Sequence, residues 1–233
     1  DLASSALSMD KVRSKWVWQC QGIATPPFDW FGPDDHDYGR ALEQFGLPVF
    51  VKPTGLGSSI GISRVTQESD LANAVELARS YGDCVIIEAE ISGNEYFAGV
   101  LGRVGLPLVR VQPAADFYDY QAKYESDDTQ YFCPCGLDAA TEKHLLEQSL
   151  RAYDLLGVTG WGRVDFILDD AGKPWFLEVN TTPGMTGHSL VPMAAAQIGV
   201  DFDALVWRIL ETSLCACTSD SPDGKTVALP ADW

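Results

Sequence analysis

Basic side chains are scarce: 16 Lys and Arg stand against 33 Asp and Glu, giving a formal charge of −17. A field of that sign repels polyanions, so nucleic acid and anionic membrane are excluded as expected partners, and an anionic substrate needs a local basic pocket. Long apolar runs are missing too. No stretch approaches the roughly 20 residues of a membrane span. The N-terminus lacks the basic start and apolar block of a secretory signal, so a cytoplasmic location is expected. Histidine is limited to His36, His144 and His188 at unrelated spacings, which argues against zinc. The pairs Cys133-Pro-Cys135 and Cys215-Ala-Cys217 have no second matching cluster and read as reduced thiols. What is plentiful is core material. Of 233 residues 46% are hydrophobic, enough for one large domain or two small ones.

Hydrophobic periodicity gives a mixed α+β chain. Val12, Trp16 and Cys20 at i, i+4, i+8 predict a helix over 8–21, with Ser8 as its cap and Gly22 just past its end. "LPVFVKP" and "IGISRV" read as strands around "TGLGSS", a glycine-rich hairpin. Leu71, Ala74, Val75 and Ala78 form a helical stripe, and "CVIIEAEI", "EYFAGVLG" and "LPLVRVQP" follow as a strand meander. Residues 114–136 are aperiodic but rich in Tyr, Phe, Asp and Lys, a combination more typical of a functional loop. A helix is expected near 138–156, then strands "GWGRVDFIL" and "PWFLEVN", then helices near 189–198 and 202–214. The last 19 residues read as a tail.

The two late strands carry the chemistry. A period of two puts Arg163 and Asp165 on one face with Trp161 and Ile167, and groups Phe176, Glu178 and Asn180 likewise. If Ala171-Gly172 forms the hairpin tip, Asp165 falls opposite Glu178 and Arg163 opposite Asn180. Two carboxylates about 5 Å apart repel by about 3 kcal/mol at an effective dielectric near 20, equal to about two pKa units. One of them holds a proton, or Arg163 bridges them, or a hard divalent cation sits between, and an Asp/Glu/Asn oxygen set suits Mg²⁺. "VKPTGLGSSIG" adds a lysine at a strand end and a Gly/Ser turn whose amides and hydroxyls could face a phosphate, although it is not the Walker pattern. An ordinary tight hairpin also explains it.

Taken together, "MDKVRSK", "VKPTGLGSSIG", "SGNEY", "FYDYQAKY", "TQYFCP", "GWGRVDFIL", "LEVNTTPGMTGHSLVP" and "VWRIL" resemble the D-alanine:D-alanine ligases of the ATP-grasp superfamily. The resemblance runs from residue 4 to about 212. It implies an ATP-grasp fold, in which two α+β subdomains clasp ATP between antiparallel sheets: a central subdomain over 1–92 and a C-terminal subdomain over 93–214 with a mobile loop at 114–136. It also implies a cytoplasmic enzyme that joins two D-alanines for peptidoglycan, and the family is commonly dimeric, so a homodimer is allowed. Members begin with a further domain that binds the first D-alanine; this sequence opens at its end, so that domain is expected to be absent.

Residue by residue, the resemblance implies that Lys15 and Lys52 hold ATP phosphates, Glu88 and the backbone of Ile91 receive adenine, and Glu95 takes the ribose. Lys123 reaches the terminal phosphate from the loop. Asp165, Glu178 and Asn180 hold two Mg²⁺ ions, with Mn²⁺ able to substitute. Arg163 and the Gly184 amide steady the oxyanion, while Ser189 and the Leu190 amide hold the second substrate's carboxylate. Tyr124 joins Ser58 in a hydrogen-bonded set that favours the dipeptide product.

Overall fold

The computed structural model describes residues 1–112 and 129–215. Lys123, Tyr124, most of the 114–136 loop and the tail beyond 215 lie outside the described residues.

Where one helix is expected over 8–21, there are two. Helix α1 (Leu2–Met9) ends at Asp10, whose backbone is extended and whose carboxylate accepts from the Arg13 N–H, capping α2 (Lys11–Cys20). Ser8 is therefore no cap; Asp10 takes that place because a short acidic side chain satisfies an amide that the first turn leaves unpaired. The buried face of α2 differs from the expected one as well. Val12 is buried, but Trp16 is 45% exposed and Cys20 is exposed; the inward stripe is Lys11, Lys15 and Trp18 at i, i+4, i+7. Trp18 is enclosed, and its indole N–H donates to the Ala152 carbonyl at 2.9 Å.

Strand β1 (Phe28–Phe31) and helix α3 (Gly39–Phe45) were not signalled by the sequence pattern. With β2 (Val49–Pro53), β3 (Ser63–Val65) and β4 (Val85–Ala89), β1 builds an antiparallel sheet in the order β1-β4-β2-β3. Alternation sorts its residues. Val49, Val51, Val85 and Ile87 pack with α3 and with the expected stripe of α4 (Leu71–Arg79), all four residues of which are buried. Phe50, Lys52 and Glu88 take the opposite face.

The chain then changes sheets, so the three strands expected as one meander are divided. Strands β5 (Asn94–Leu101), β6 (Val104–Gly105), β7 (Val109–Gln112), β8 (Gln130–Phe132), β9 (Trp161–Leu168) and β10 (Pro174–Asn180) form a second antiparallel sheet in the order β10-β9-β5-β7-β8, with β6 on β5. Strand β8 falls inside the stretch expected to be irregular. One face of this sheet presents Tyr96, Ala98, Val164, Phe166 and Phe176 to α2 and α5 (Ala139–Leu155). The other presents Phe97, Leu101, Val109 and Val111 to α6 (Leu190–Gln197) and α7 (Phe202–Cys215). Toward β10 that second face turns to Asp165, Ile167 and Glu178, which wall a cavity instead.

The β9–β10 hairpin reaches its pairing by an unexpected route. Its tip is the three-residue loop Asp170–Gly172, with Gly172 at φ 78° and the Asp169 carboxylate accepting from the Ala171 and Lys173 amides. Pro174 thus faces Leu168 and Phe176 faces Phe166, one residue off the expected register. A bulge at Leu177 then restores it, so Glu178 faces Asp165 and Asn180 faces Arg163. The expected grouping of Phe176 with Glu178 is overturned by this bulge: Phe176 is fully enclosed on the opposite face against Phe166.

Among the described residues no single helix is long and apolar enough to cross a membrane.

Candidate functional site

A cavity of about 300 Å³ opens between the two sheets. Phe50, Lys52 and Glu88 come from the first sheet, Ile91 and Ser92 from the crossing between them, and Glu95, Phe97, Asp165, Ile167, Leu177 and Glu178 from the second. A volume of that size suits a small-molecule ligand.

On the first sheet a buried carboxylate gathers two ammonium groups. Lys15 Nζ lies 3.0 Å from Glu88 Oε1, and Lys52 pairs with Oε2. Burial pushes the Glu88 carboxyl up, but the two lysines outweigh it and hold the pKa at about 2. Burial depresses Lys15 to about 8 even though Glu88 opposes the shift. Lys15 also donates to Thr25 Oγ1 at 2.6 Å, and that hydroxyl donates to the Phe176 carbonyl at 2.8 Å. The Phe176 amide in turn donates to the Ala24 carbonyl at 2.9 Å, so residues 24 and 25 clip β10 beside its bulge. Lys15 is 1% exposed and stands behind Glu88, whereas Lys52 is on the cavity wall. Glu88, expected beside a nucleobase, has both carboxylate oxygens engaged by lysine. The backbone of Ile91 carries no hydrogen bond to another described residue.

On the second sheet three oxygen-bearing side chains converge. Arg163 grips Asp165 with two hydrogen bonds of 2.7 Å and lies over the Phe97 ring at 5.1 Å. Asn180 Nδ2 reaches Asp165 Oδ2 at 3.1 Å and Glu178 Oε1 at 3.4 Å. Glu178 Oε2 lies 3.3 Å from Lys11 Nζ. Each carboxylate therefore has a cation beside it. The donor set suits a hard divalent ion: two carboxylates and an amide, whose oxygen replaces its nitrogen on a half-turn of the amide, leave coordination places for water and phosphate oxygens. Among the described residues no three His, Cys, Asp or Glu side chains form a self-sufficient metal cage.

Between the sheets runs the turn from Thr54 to Ile62. Ser58 and Ser59 have φ of 55° and 57°, a left-handed conformation that costs a non-glycine residue about 1–2 kcal/mol. Such strain gathers at ligand clamps. Ser59 lines the cavity, while Ser58 is exposed. Lys11 ties this turn down. Its amide donates to the Thr54 carbonyl at 3.0 Å and its ammonium to the Leu56 carbonyl at 2.5 Å. Sequence reasoning passed over Lys11, although its spacing of four from Lys15 placed both on one helical face.

A third group follows β10. Ser189 Oγ accepts from the Thr186 amide at 2.9 Å and lies 3.0 Å from the Thr186 hydroxyl, immediately before α6, whose first residue is Leu190. Gly184 approaches so closely that a Cβ there would stand 2.9 Å from Ser189 Oγ. None of Gly184, Thr186, Ser189 and Leu190 lines the cavity.

The chain matches known proteins along most of its length. Residues 17–211 match the family model described as D-ala D-ala ligase C-terminus. The D-alanine--D-alanine ligase of Methylococcus capsulatus is 52% identical over 213 residues, 90% of this chain and 68% of that protein. The crystal structure of the Bacillus anthracis D-alanine--D-alanine ligase superposes with a TM-score of 0.84 at 33% identity, covering 94% of this chain and 72% of that one. The same enzyme complexed with ATP gives 0.82 at 29% identity, over 94% and 70%.

Proposed function

Since the chain belongs to the D-alanine–D-alanine ligase family and has its ATP-grasp fold, we propose that it joins two D-alanines at the expense of ATP, as a step in cell-wall precursor synthesis in the cytoplasm. The observation that carries this is that Asp165 and Glu178, with Asn180 bonded to both, line the same cavity as Lys52 and Glu88 from the opposite sheet. The two sheets serve as the two halves of the clasp, residues 1–92 and 93–214, with the nucleotide between them.

Adenine goes to the Ile91 end, where unpaired backbone groups meet apolar walls, and Glu95 takes the ribose. Lys52, with the charge of Lys15 behind it and Lys123 from the loop, attracts the phosphates. Asp165, Glu178 and Asn180 hold Mg²⁺, or Mn²⁺ in its place. The ions supply Lewis-acid neutralisation of charge on the transferred phosphoryl group. That group passes from ATP to the first D-alanine's carboxylate, and the second D-alanine's amine then attacks the acyl phosphate and releases phosphate. Arg163, kept in orientation by Asp165, and the Gly184 amide steady the tetrahedral oxyanion. Ser189 and the Leu190 amide receive the second carboxylate. Ser58 and Tyr124 belong to the hydrogen-bonded set that favours the dipeptide product, and a homodimer is the expected assembly.

ADP release is measured with D-alanine, L-alanine and D-lactate in turn. Release that depends on D-alanine alone is expected. Binding of ATP without turnover on any of them points instead to a nucleotide-binding module, and turnover on another pair to a ligase of different specificity.

Lys15 gives this site a pH signature. Nucleotide affinity is expected to fall as pH rises through about 8, where the ammonium loses its proton. Stability moves the other way: a lysine that binds its proton less well when folded weakens the fold fully below pH 8, and this burden lifts between pH 8 and its unfolded value of 10.5. Calorimetric titration with ATP, run beside thermal melts, separates the two. Joint loss of affinity and stability across that window would remove Lys15 as the cause.

A further inference from the structure

The glycine-rich turn presents Leu56, Gly57 and Ser59 to the cavity, and it is backed from outside by a ring that the site does not otherwise use. Gly61, at φ 71°, comes so close to Tyr81 that a Cβ there would stand 2.7 Å from Tyr81 Cδ2, 3.2 Å from Cε2 and 3.2 Å from Pro53 Cγ. Pro53 ends β2, so the leg that leaves the first sheet and the leg that returns to it meet at this point. Tyr81 itself belongs to the frame. It follows α4, and its amide donates to the carbonyl of the fully enclosed Ala78 at 3.2 Å. Arg79, two residues earlier, donates to the Gly32 and Pro33 carbonyls at 2.9 Å. The ring is nonetheless 49% exposed, so the core depends little on it.

We propose that Tyr81 is a positioning residue for the nucleotide: its ring is a fixed rest on which the glycine-rich turn seats at Gly61, holding the cavity side of the turn ready for a polyphosphate. This rests on the reading of the cavity as a nucleotide site. Within the turn the backbone bonds are local, from the Ile60 amide to the Gly57 carbonyl and from the Ile62 amide to the Ser59 carbonyl. They fix the shape of the arch but not its height above the cavity floor. A rest on a rigid helix end supplies the height. A turn that must otherwise be ordered when its ligand arrives binds more weakly, in proportion to the fraction of time it is already in place. Only glycine at 61 lets the backbone come down onto the ring.

The test is calorimetric titration of the full chain with ATP and Mg²⁺, and separately with adenosine, which carries no phosphate for the turn to meet. Tyr81→Ala is expected to bind ATP about tenfold more weakly, as for a turn seated about a tenth of the time, and to bind adenosine as the wild type does. Tyr81→Phe keeps the ring and is expected to match the wild type on both. Gly61→Ala drives a methyl group into the ring and is expected to weaken ATP at least as much as Tyr81→Ala, while Gly61→Ala combined with Tyr81→Ala is expected to be no worse than Gly61→Ala alone. Losses that multiply in the double variant show that the two residues act independently, and overturn the proposal. A merely structural tyrosine predicts a lowered Tm with ATP and adenosine affected alike, which overturns it too. If the wild type binds ATP and Tyr81→Ala binds it equally well, Tyr81 alone is misread; if the wild type binds no ATP, the nucleotide reading falls and the inference with it.

Discussion

Glu178→Gln is expected to lower ligase turnover about a thousandfold and to leave the protein folded. Neutralising charge on a transferred phosphoryl group is worth several kcal/mol, and each ~1.4 kcal/mol is a factor of ten in rate. The amide keeps the shape of the side chain and one acceptor oxygen but loses the charge on which the proposed metal binding depends. Stability falls by less than in Glu88→Gln, because the Glu178 side chain is 24% exposed and Lys11, though it loses a counter-charge, retains the Leu56 carbonyl. Asp165→Asn makes the useful contrast. That carboxylate is 4% exposed and doubly bonded to Arg163, so the change removes an anion from beneath a guanidinium and lowers both turnover and stability. Steady-state rates over a Mg²⁺ titration, with denaturant melts, check both variants. A Glu178→Gln enzyme that remains active and indifferent to Mg²⁺ would falsify the assignment.

Glu88→Gln is expected to be the most destabilising single change at the site, by about 3–5 kcal/mol, because it strands two ammonium groups around one neutral amide. For a chain of this size that is a fall in Tm on the order of 10 °C. Lys15 limits the damage by shedding its proton, as its pKa is already depressed by burial. The sign of the pH effect follows from Glu88 itself. Its carboxyl sits at about 2 in the fold against 4.5 unfolded, so its contribution is complete above pH 4.5 and is lost as pH falls toward 2. The gap between wild type and Glu88→Gln should therefore narrow in melts run from pH 5 to pH 2. Adding Lys15→Met to Glu88→Gln is expected to recover part of the loss, since an apolar chain of similar length replaces a stranded charge. A double variant less stable than Glu88→Gln contradicts this account.

The pairing of the carboxylate-bearing strands was legible because alternation in a strand is a hard constraint: Arg163 and Asp165 had to share a face, as did Glu178 and Asn180. The path to that pairing was not. A two-residue tip and an unbroken ladder predict the same partners as a three-residue tip and a bulge, because the extra residue in one cancels the offset of the other. Only Pro174, Trp175 and Phe176, before the bulge, tell them apart, and an aromatic ring suits either face. On the nucleotide side Lys52 and the turn could be read from the strand end and the glycines. Lys11 could not, since a lysine in the first turn of a helix is usually a solvated one. The misread face of α2 has the same root. Periodicity counts apolar residues, and here the inward stripe is two lysines and a tryptophan whose burial is secured by Glu88, Glu178 and the Ala152 carbonyl. Pairing of that kind is made across the fold and leaves no local trace.

The bulge at Leu177 makes β10 tolerant of shortening at one point. Removing one unit from an ordinary ladder reverses the outlook of everything beyond it, so that acids meant for water would be driven into hydrocarbon. Here Phe176 already faces Phe166 and Glu178 already faces Asp165, with Leu177 left over between them. A chain lacking that leucine would keep every later side chain pointing as before, and would surrender only the local kink and a patch of greasy lining.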